Sequence, residues 1–217
     1  MYLCPSDGEM ALLNDKFDTG SKNRRGMNYA GVMGSYYART GVCPAVKTSG
    51  QFCITSSATG LGGPNNYDGL LIQDWPISFK KVTDGTSKTL MLGERWYQAR
   101  AWMIGAYWNG STDSTPPDGP QPSTYFFYCK NLTDKVPINH NLSVSCYQSH
   151  NNATDRPQVP STSSMTLSLN NLPFASFHVG GANFANGDGS ARWIPDDIDT
   201  ALYLALGSRN GGETVSE

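Results

Sequence analysis

The sequence predicts an α+β domain: an antiparallel sheet with long loops and one short helix near the C-terminal end. Three observations carry that expectation. Short alternating segments recur between turn-forming residues, and two of the turns are marked by Asp84-Gly85 and Asp188-Gly189. One segment near the end, Ile198 to Leu206, places its apolar residues at helical spacing. Charged residues make up only 16% of the chain, whereas glycine (23) and proline (13) are plentiful, a balance suited to a loop-rich β protein outside the cell.

Taken in order, Met27 to Gly34 reads as a short strand with Tyr29 and Val32 turned inward, and Asp68 to Asp74 as a second, built on Leu70-Leu71-Ile72. A Cys-, Gly- and Ser-rich excursion separates them. Ile77 to Val82 approaches the Asp84-Gly85 turn. Lys88 to Glu94 then alternates as a strand, apolar at Leu90 and Leu92, and Trp102 to Trp108 follows as another. Residues 109–121 and 145–171 are rich in Gly, Ser, Thr, Asp, Asn and Pro and read as long loops, of the kind that is functional or variable. The run from Phe177 to Ile194 describes a hairpin, with nine residues between His178 and the turn dipeptide Asp188-Gly189. Pro195-Asp196-Asp197 supplies a cap and an acidic first turn for the closing helix, in which Ile198, Ala201, Leu202, Ala205 and Leu206 fall at helical spacing. Gly207 or Asn210-Gly211-Gly212 ends it.

At 217 residues the chain is expected to form a single domain, 1–217, around one substantial core. A net charge of -2 leaves no electrostatic footprint for nucleic acid or for an anionic membrane. The apolar runs are too short for a transmembrane segment. The five cysteines, Cys4, Cys43, Cys53, Cys129 and Cys146, show no zinc-ligand spacing. Cys43 and Cys53 bracket a short polar loop and Cys129 and Cys146 a longer one, so two local bridges are expected, Cys43–Cys53 and Cys129–Cys146. Cys4 is left over, as a buried free thiol or as half of a bridge to another segment.

Two readings exist for the histidine run. In one, His178 and Asp188 meet across the hairpin as an acid/base pair, with Ser176, Ser87 or Ser190 as nucleophile. In the other, both side chains bond backbone groups and lock the turn, while Gly180, Gly181 and Gly189 supply positive φ. The second takes precedence, because the chain has no nucleophile elbow and no oxyanion signature. Asp188 and Asn186, with nearby carbonyls, are also the candidate ligands for calcium; beyond that ion no cofactor is expected. Asp84-Gly85-Thr86-Ser87 reads as a capped turn. Glu94 is either a solvated strand end or paired with Arg192 or Arg100. His140 and His150 lie in polar loops and are expected to be exposed. The aromatics Trp96, Tyr97, Trp102, Tyr107, Trp108 and Tyr125 to Tyr128 are expected in the core, with a polymer- or glycan-stacking surface as the other reading.

The His-x9-Asp-Gly run, together with Cys4-Pro5-Ser6-Asp7, Asn28-Tyr29-Ala30-Gly31, Val82 to Thr89, Leu92-Gly93-Glu94 and Leu204 to Ser216, resembles the bacterial pseudopilin-like, DUF1559-type family. These segments span nearly the whole chain in the family's order. Val179 stands where the family usually has proline, and Lys88 where it usually has asparagine. The resemblance implies a pilin-like globular domain that packs against a long N-terminal helix, preceded by a basic leader and processing site that this sequence lacks. It implies Cys4 bridging to that helix, and it strengthens calcium, which type II secretion pseudopilins use near the C-terminus. The function it implies is an exported subunit, extracellular or on the cell surface, that self-associates or joins other pseudopilin-like subunits in a filament. A secreted hydrolase or a binder of an extracellular polymer, centred on His178 and Asp188, is the alternative.

Overall fold

The structure is a computed structural model that describes residues 4–6, 26–37, 64–72, 75–95, 100–101, 107–108, 125–126, 129–140 and 172–212. Its strands are β1 (Gly26–Met27), β2 (Tyr29–Tyr36), β3 (Leu90–Glu94), β4 (Arg100–Ala101), β5 (Tyr107–Trp108), β6 (Tyr125–Phe126), β7 (Cys129–Thr133), β8 (Gly181–Asn186) and β9 (Ala191–Pro195). A single α-helix, α1 (Thr200–Gly207), follows among the described residues. Five strands form one mixed sheet in the order β7-β2-β3-β8-β9. Three of its pairings are antiparallel, but β2 and β7 run parallel. The remaining strands make two separate two-stranded ribbons, β1 with β4 and β5 with β6. The α+β expectation is met, and the parallel pair is the departure from a purely antiparallel sheet. A parallel neighbour requires a long crossover; here nearly a hundred residues separate the two strands in the chain, and no local pattern announces such a pairing.

The core lies between the sheet and α1. Ala30 and Val32 of β2, Leu90 of β3, Leu132 of β7, Ala182 and Phe184 of β8 and Ile194 of β9 pack with Tyr203 to Leu206 of the helix. Phe184 sits at the centre, its ring centroid 5.2 Å from Phe174 and 6.4 Å from Tyr203. Ser35 fastens helix to strand, its hydroxyl donating to Leu204 O at 2.6 Å. Gly93 makes this packing fit, because a Cβ there would meet Phe174 Cδ1 at 2.6 Å.

Several expected elements shift. Residues 68–72 form no strand; Gly69 N and Leu71 N instead donate to Met33 O and Val32 O, and Ile72 bridges only to Trp75. Phe79–Lys81 is a 3-10 turn capped by Ser78. The helix cap is Asp199, whose carboxylate accepts Leu202 N at 2.9 Å. Asp196 and Asp197 form the turn before it, because β9 extends to Pro195 and Asp196 N donates back to Gly180 O. Gly207 does end the helix.

The Cys129–Cys146 bridge is not formed: Cys129 is a buried free thiol. Its sulfur packs on the adjacent strand, where a Cβ on Gly31 would meet it at 2.8 Å, and burial pushes the thiol pKa up to about 12. Cys43, Cys53 and Cys146 lie outside the described residues, as do the two long loops, His150, Trp96, Tyr97 and Trp102. No described helix is long and apolar enough to cross a membrane.

Candidate functional site

The β8–β9 hairpin separates His178 from Asp188, which rules out the reading in which the two meet as an acid/base pair. His178 precedes β8, and Asp188 sits in the turn at the far end of that strand. Asp188 does lock the turn: Oδ1 accepts Ser190 N at 2.9 Å and Ser190 Oγ at 2.6 Å. Those bonds, the side-chain one first, hold its carboxyl below the usual aspartate range although it is fully exposed. Asn186 turns its amide nitrogen to Ser190 Oγ at 3.0 Å, and Gly189 follows at φ 85°. The candidate calcium ligands Asp188 and Asn186 therefore already share Ser190 as a partner.

At the other end, Ser176 is spent on backbone. Its hydroxyl donates to Gly181 O at 2.7 Å and accepts from His178 N at 3.1 Å. Asn139 braces the same corner, taking Ser176 N on Oδ1 at 2.7 Å and giving Nδ2 to Gly181 O at 2.9 Å. Asn139 itself adopts φ 60°, a conformation that asparagine tolerates better than most residues. Gly180 has the expected positive φ, 81°, while Gly181 is the first residue of β8 and is required for a different reason: a Cβ there would strike Trp193 and the Ile194 carbonyl. Among the described residues, no serine is thus placed as a nucleophile against a His178–Asp188 pair.

His178 is instead directed at three residues from elsewhere in the chain. Its Nε2 lies 3.4 Å from Cys4 Sγ and 3.5 Å from Glu94 Oε1, and its Nδ1 lies 3.4 Å from Ser6 Oγ. The Trp193 ring meets the imidazole edge-on, 6.0 Å between centroids. Glu94, expected as a solvated strand end or an arginine partner, is only 2% exposed. The last position of β3 places it beneath β8, where Oε2 accepts both Asn183 N at 2.6 Å and Asn183 Nδ2 at 3.2 Å. Cys4 is a free, buried thiol held by Asn28, whose Oδ1 accepts Cys4 N at 2.8 Å. Asn28 Nδ2 in turn donates to Arg95 O, and Arg95 N to Asn28 O. Burial pushes the Cys4 thiol up, the Ser6 backbone bond opposes that, and the Glu94 carboxylate adds to the rise. Tyr29, opposite Glu94 across the β2–β3 pair, is raised by burial first and by the same carboxylate second.

The geometry is not that of a cysteine–histidine catalytic relay. In such a relay the nucleophile and the orienting carboxylate address opposite ring nitrogens, whereas Cys4 and Glu94 both address Nε2. Cys4 Sγ, Glu94 Oε1 and His178 Nε2 form a group of ligand-type atoms lying within 4.8 Å of one another. One signal in the sequence pointed here: the segments Cys4 to Asp7, Asn28 to Gly31, Leu92 to Glu94 and the histidine run each contribute to this cluster. What linear spacing did not reveal was that they converge.

The fold and this cluster define a small α+β domain in which four of the sequence motifs meet at one end of a mixed sheet. The family described as "Protein of unknown function (DUF1559)" matches residues 1–201, and the chain belongs to it. No curated protein and no solved structure matches the chain significantly.

Proposed function

We propose that this domain is a pseudopilin-like structural or assembly subunit, exported to the cell surface or beyond, which works by packing against copies of itself or related subunits. The observation that supports this reading is an apolar platform around His178. Val179 is 98% exposed, Trp193 45% and Phe177 42%, on a corner held rigid by Ser176 and Asn139. Trp193 lies on β9, which ends the sheet. Large side chains held out on a braced corner lose little entropy when a partner covers them, which suits a repeated subunit contact.

A photo-reactive amino acid at Val179, introduced into the protein in its native host, tests the reading. Adducts to the protein itself or to a homologous subunit are expected, and the double change Val179→Asp with Trp193→Ala is expected to abolish higher-order assemblies. A protein that remains monomeric on the native cell and gives no adducts would refute it.

A further inference from the structure

We propose that Cys4, Glu94 and His178 bind one divalent transition-metal ion of the zinc class, with Cys4 Sγ, Glu94 Oε1 and His178 Nε2 as the protein ligands. The first ground is that a single ring nitrogen faces two groups, at 3.4 Å and 3.5 Å. An imidazole nitrogen carries either one proton or one lone pair, so it can serve one hydrogen-bond partner well and not both. A cation between the three satisfies all of them.

The second ground is spacing. Metal–sulfur bonds of about 2.3 Å and metal–nitrogen and metal–oxygen bonds of about 2.0 Å, at tetrahedral angles, put sulfur about 3.5 Å and oxygen about 3.3 Å from the nitrogen. The two measured separations lie close to those edges. The third ground is the support behind each ligand. Glu94 Oε2 is held by Asn183, leaving Oε1 for the centre. Ser6 Oγ stands beside Nδ1, and a proton retained there leaves the Nε2 lone pair for the metal. Cys4 is fixed through its backbone by Asn28.

The donor set selects the ion. One sulfur, one imidazole and one carboxylate suit zinc and its neighbours, whereas calcium and magnesium require a shell of oxygens. Coordination releases the Cys4 thiol proton to solvent, so a thiolate, a carboxylate and a dication give no net charge at the centre. Three protein ligands leave the fourth tetrahedral position to water. The ion would tie the Cys4–Ser6 turn to the end of β3 and to the loop before β8.

The test uses the full chain, reduced and stripped with a chelator, titrated with Co2+ and then with Zn2+ in competition. One equivalent of Co2+ is expected to produce thiolate-to-cobalt charge-transfer absorption and tetrahedral visible bands, which Zn2+ displaces. Cys4→Ser should abolish the charge-transfer band, and Glu94→Gln and His178→Gln should each weaken Zn2+ binding by about tenfold or more. Asp188→Asn, in the distant turn, should leave the affinity unchanged. Glu94→Gln retains an oxygen for Asn183; should it still fail to fold, Cys4→Ser decides alone. The proposal is overturned if the unmodified protein gives no charge-transfer band, if Cys4→Ser binds Co2+ equally well, or if Cys4 of protein isolated from its host is found in a disulfide.

Discussion

Lys130 on β7 is fully buried, its Nζ donating to Pro173 O at 2.8 Å and lying 4.6 Å from the centroid of the Phe174 ring. Burial, with the Arg95 guanidinium adding to it, holds the amine well below the usual lysine range. Between that depressed folded value and the ordinary unfolded one, the unfolded chain binds the extra proton. Stability from this group therefore rises with pH across the window, by at most about 1.4 kcal/mol per pH unit, and is lowest where both states are protonated. Lys130→Met keeps the length of the side chain and removes the charge. The variant is expected to be the more stable protein near neutrality and to lose the alkaline rise, as read from urea unfolding over neutral to alkaline pH. An unchanged slope would show that the amine is not the source. Nothing in Cys129-Lys130-Asn131 marks such a residue, because a lysine in a short polar-looking segment reads as solvated, whereas here it pairs within the sheet and its amine meets Pro173 and Phe174.

Glycines divide the hairpin and the sheet into two kinds of constraint. Gly189 has φ 85°, and an added Cβ there would meet nothing within 4 Å, so Gly189→Ala costs only the left-handed conformation, about 1 kcal/mol. Gly93 has ordinary backbone, but an added Cβ runs into Phe174 and Phe184, so Gly93→Ala must move two core rings, at about 1–3 kcal/mol. Thermal denaturation of the two variants should rank Gly93→Ala as the more damaging; the reverse order would mean that the rings repack freely. The same division explains what was legible in the sequence. The hairpin could be read because Asp188-Gly189-Ser190 specifies its turn with local bonds, and the strand ending at Glu94 from its apolar Leu90-Met91-Leu92 run. The helix was legible by its spacing as an element, but not by its buried face or its cap: Ala201 is exposed while Tyr203 and Leu204 are buried, and Asp196, Asp197 and Asp199 are chemically alike, so that the extension of β9 to Pro195 selects the last. Leu70-Leu71-Ile72 misled because an apolar run reports burial, and here Leu70 is buried without joining the sheet.

Across the whole molecule, the sequence motifs do not act where they stand in the chain but where the fold brings them together, and they do so at two places. One is the cluster joining Cys4, Asn28, Glu94 and His178. His178 was legible as important, but both readings of it stayed within the hairpin, as a turn lock or as a pair with Asp188, whereas a contact across 174 positions depends on the order of the sheet. The other lies behind the helix. Asp84 N donates to Arg209 O at 3.2 Å, and the Asp84 carboxylate accepts Gly211 N at 2.6 Å and Gly212 N at 3.0 Å. Arg209 closes the circuit through Nη1, donating to Tyr67 O at 2.8 Å and Gly69 O at 2.7 Å. The turn after the 3-10 segment, the segment before it and the chain leaving α1 are thereby held as one unit. Asp84→Ala removes a charged acceptor from two backbone amides at once, a loss of about 2 kcal/mol for a half-buried group. Because these bonds join the periphery of the fold and not its Phe174–Phe184–Tyr203 core, the effect should be local. Hydrogen exchange is expected to accelerate at Gly211 and Gly212, with the amides of β8 and β9 changing little, and Asp84→Asn, which keeps one acceptor oxygen, should recover part of the protection. Uniform acceleration across the sheet in Asp84→Ala would instead mean that this junction and the core unfold as a single cooperative unit.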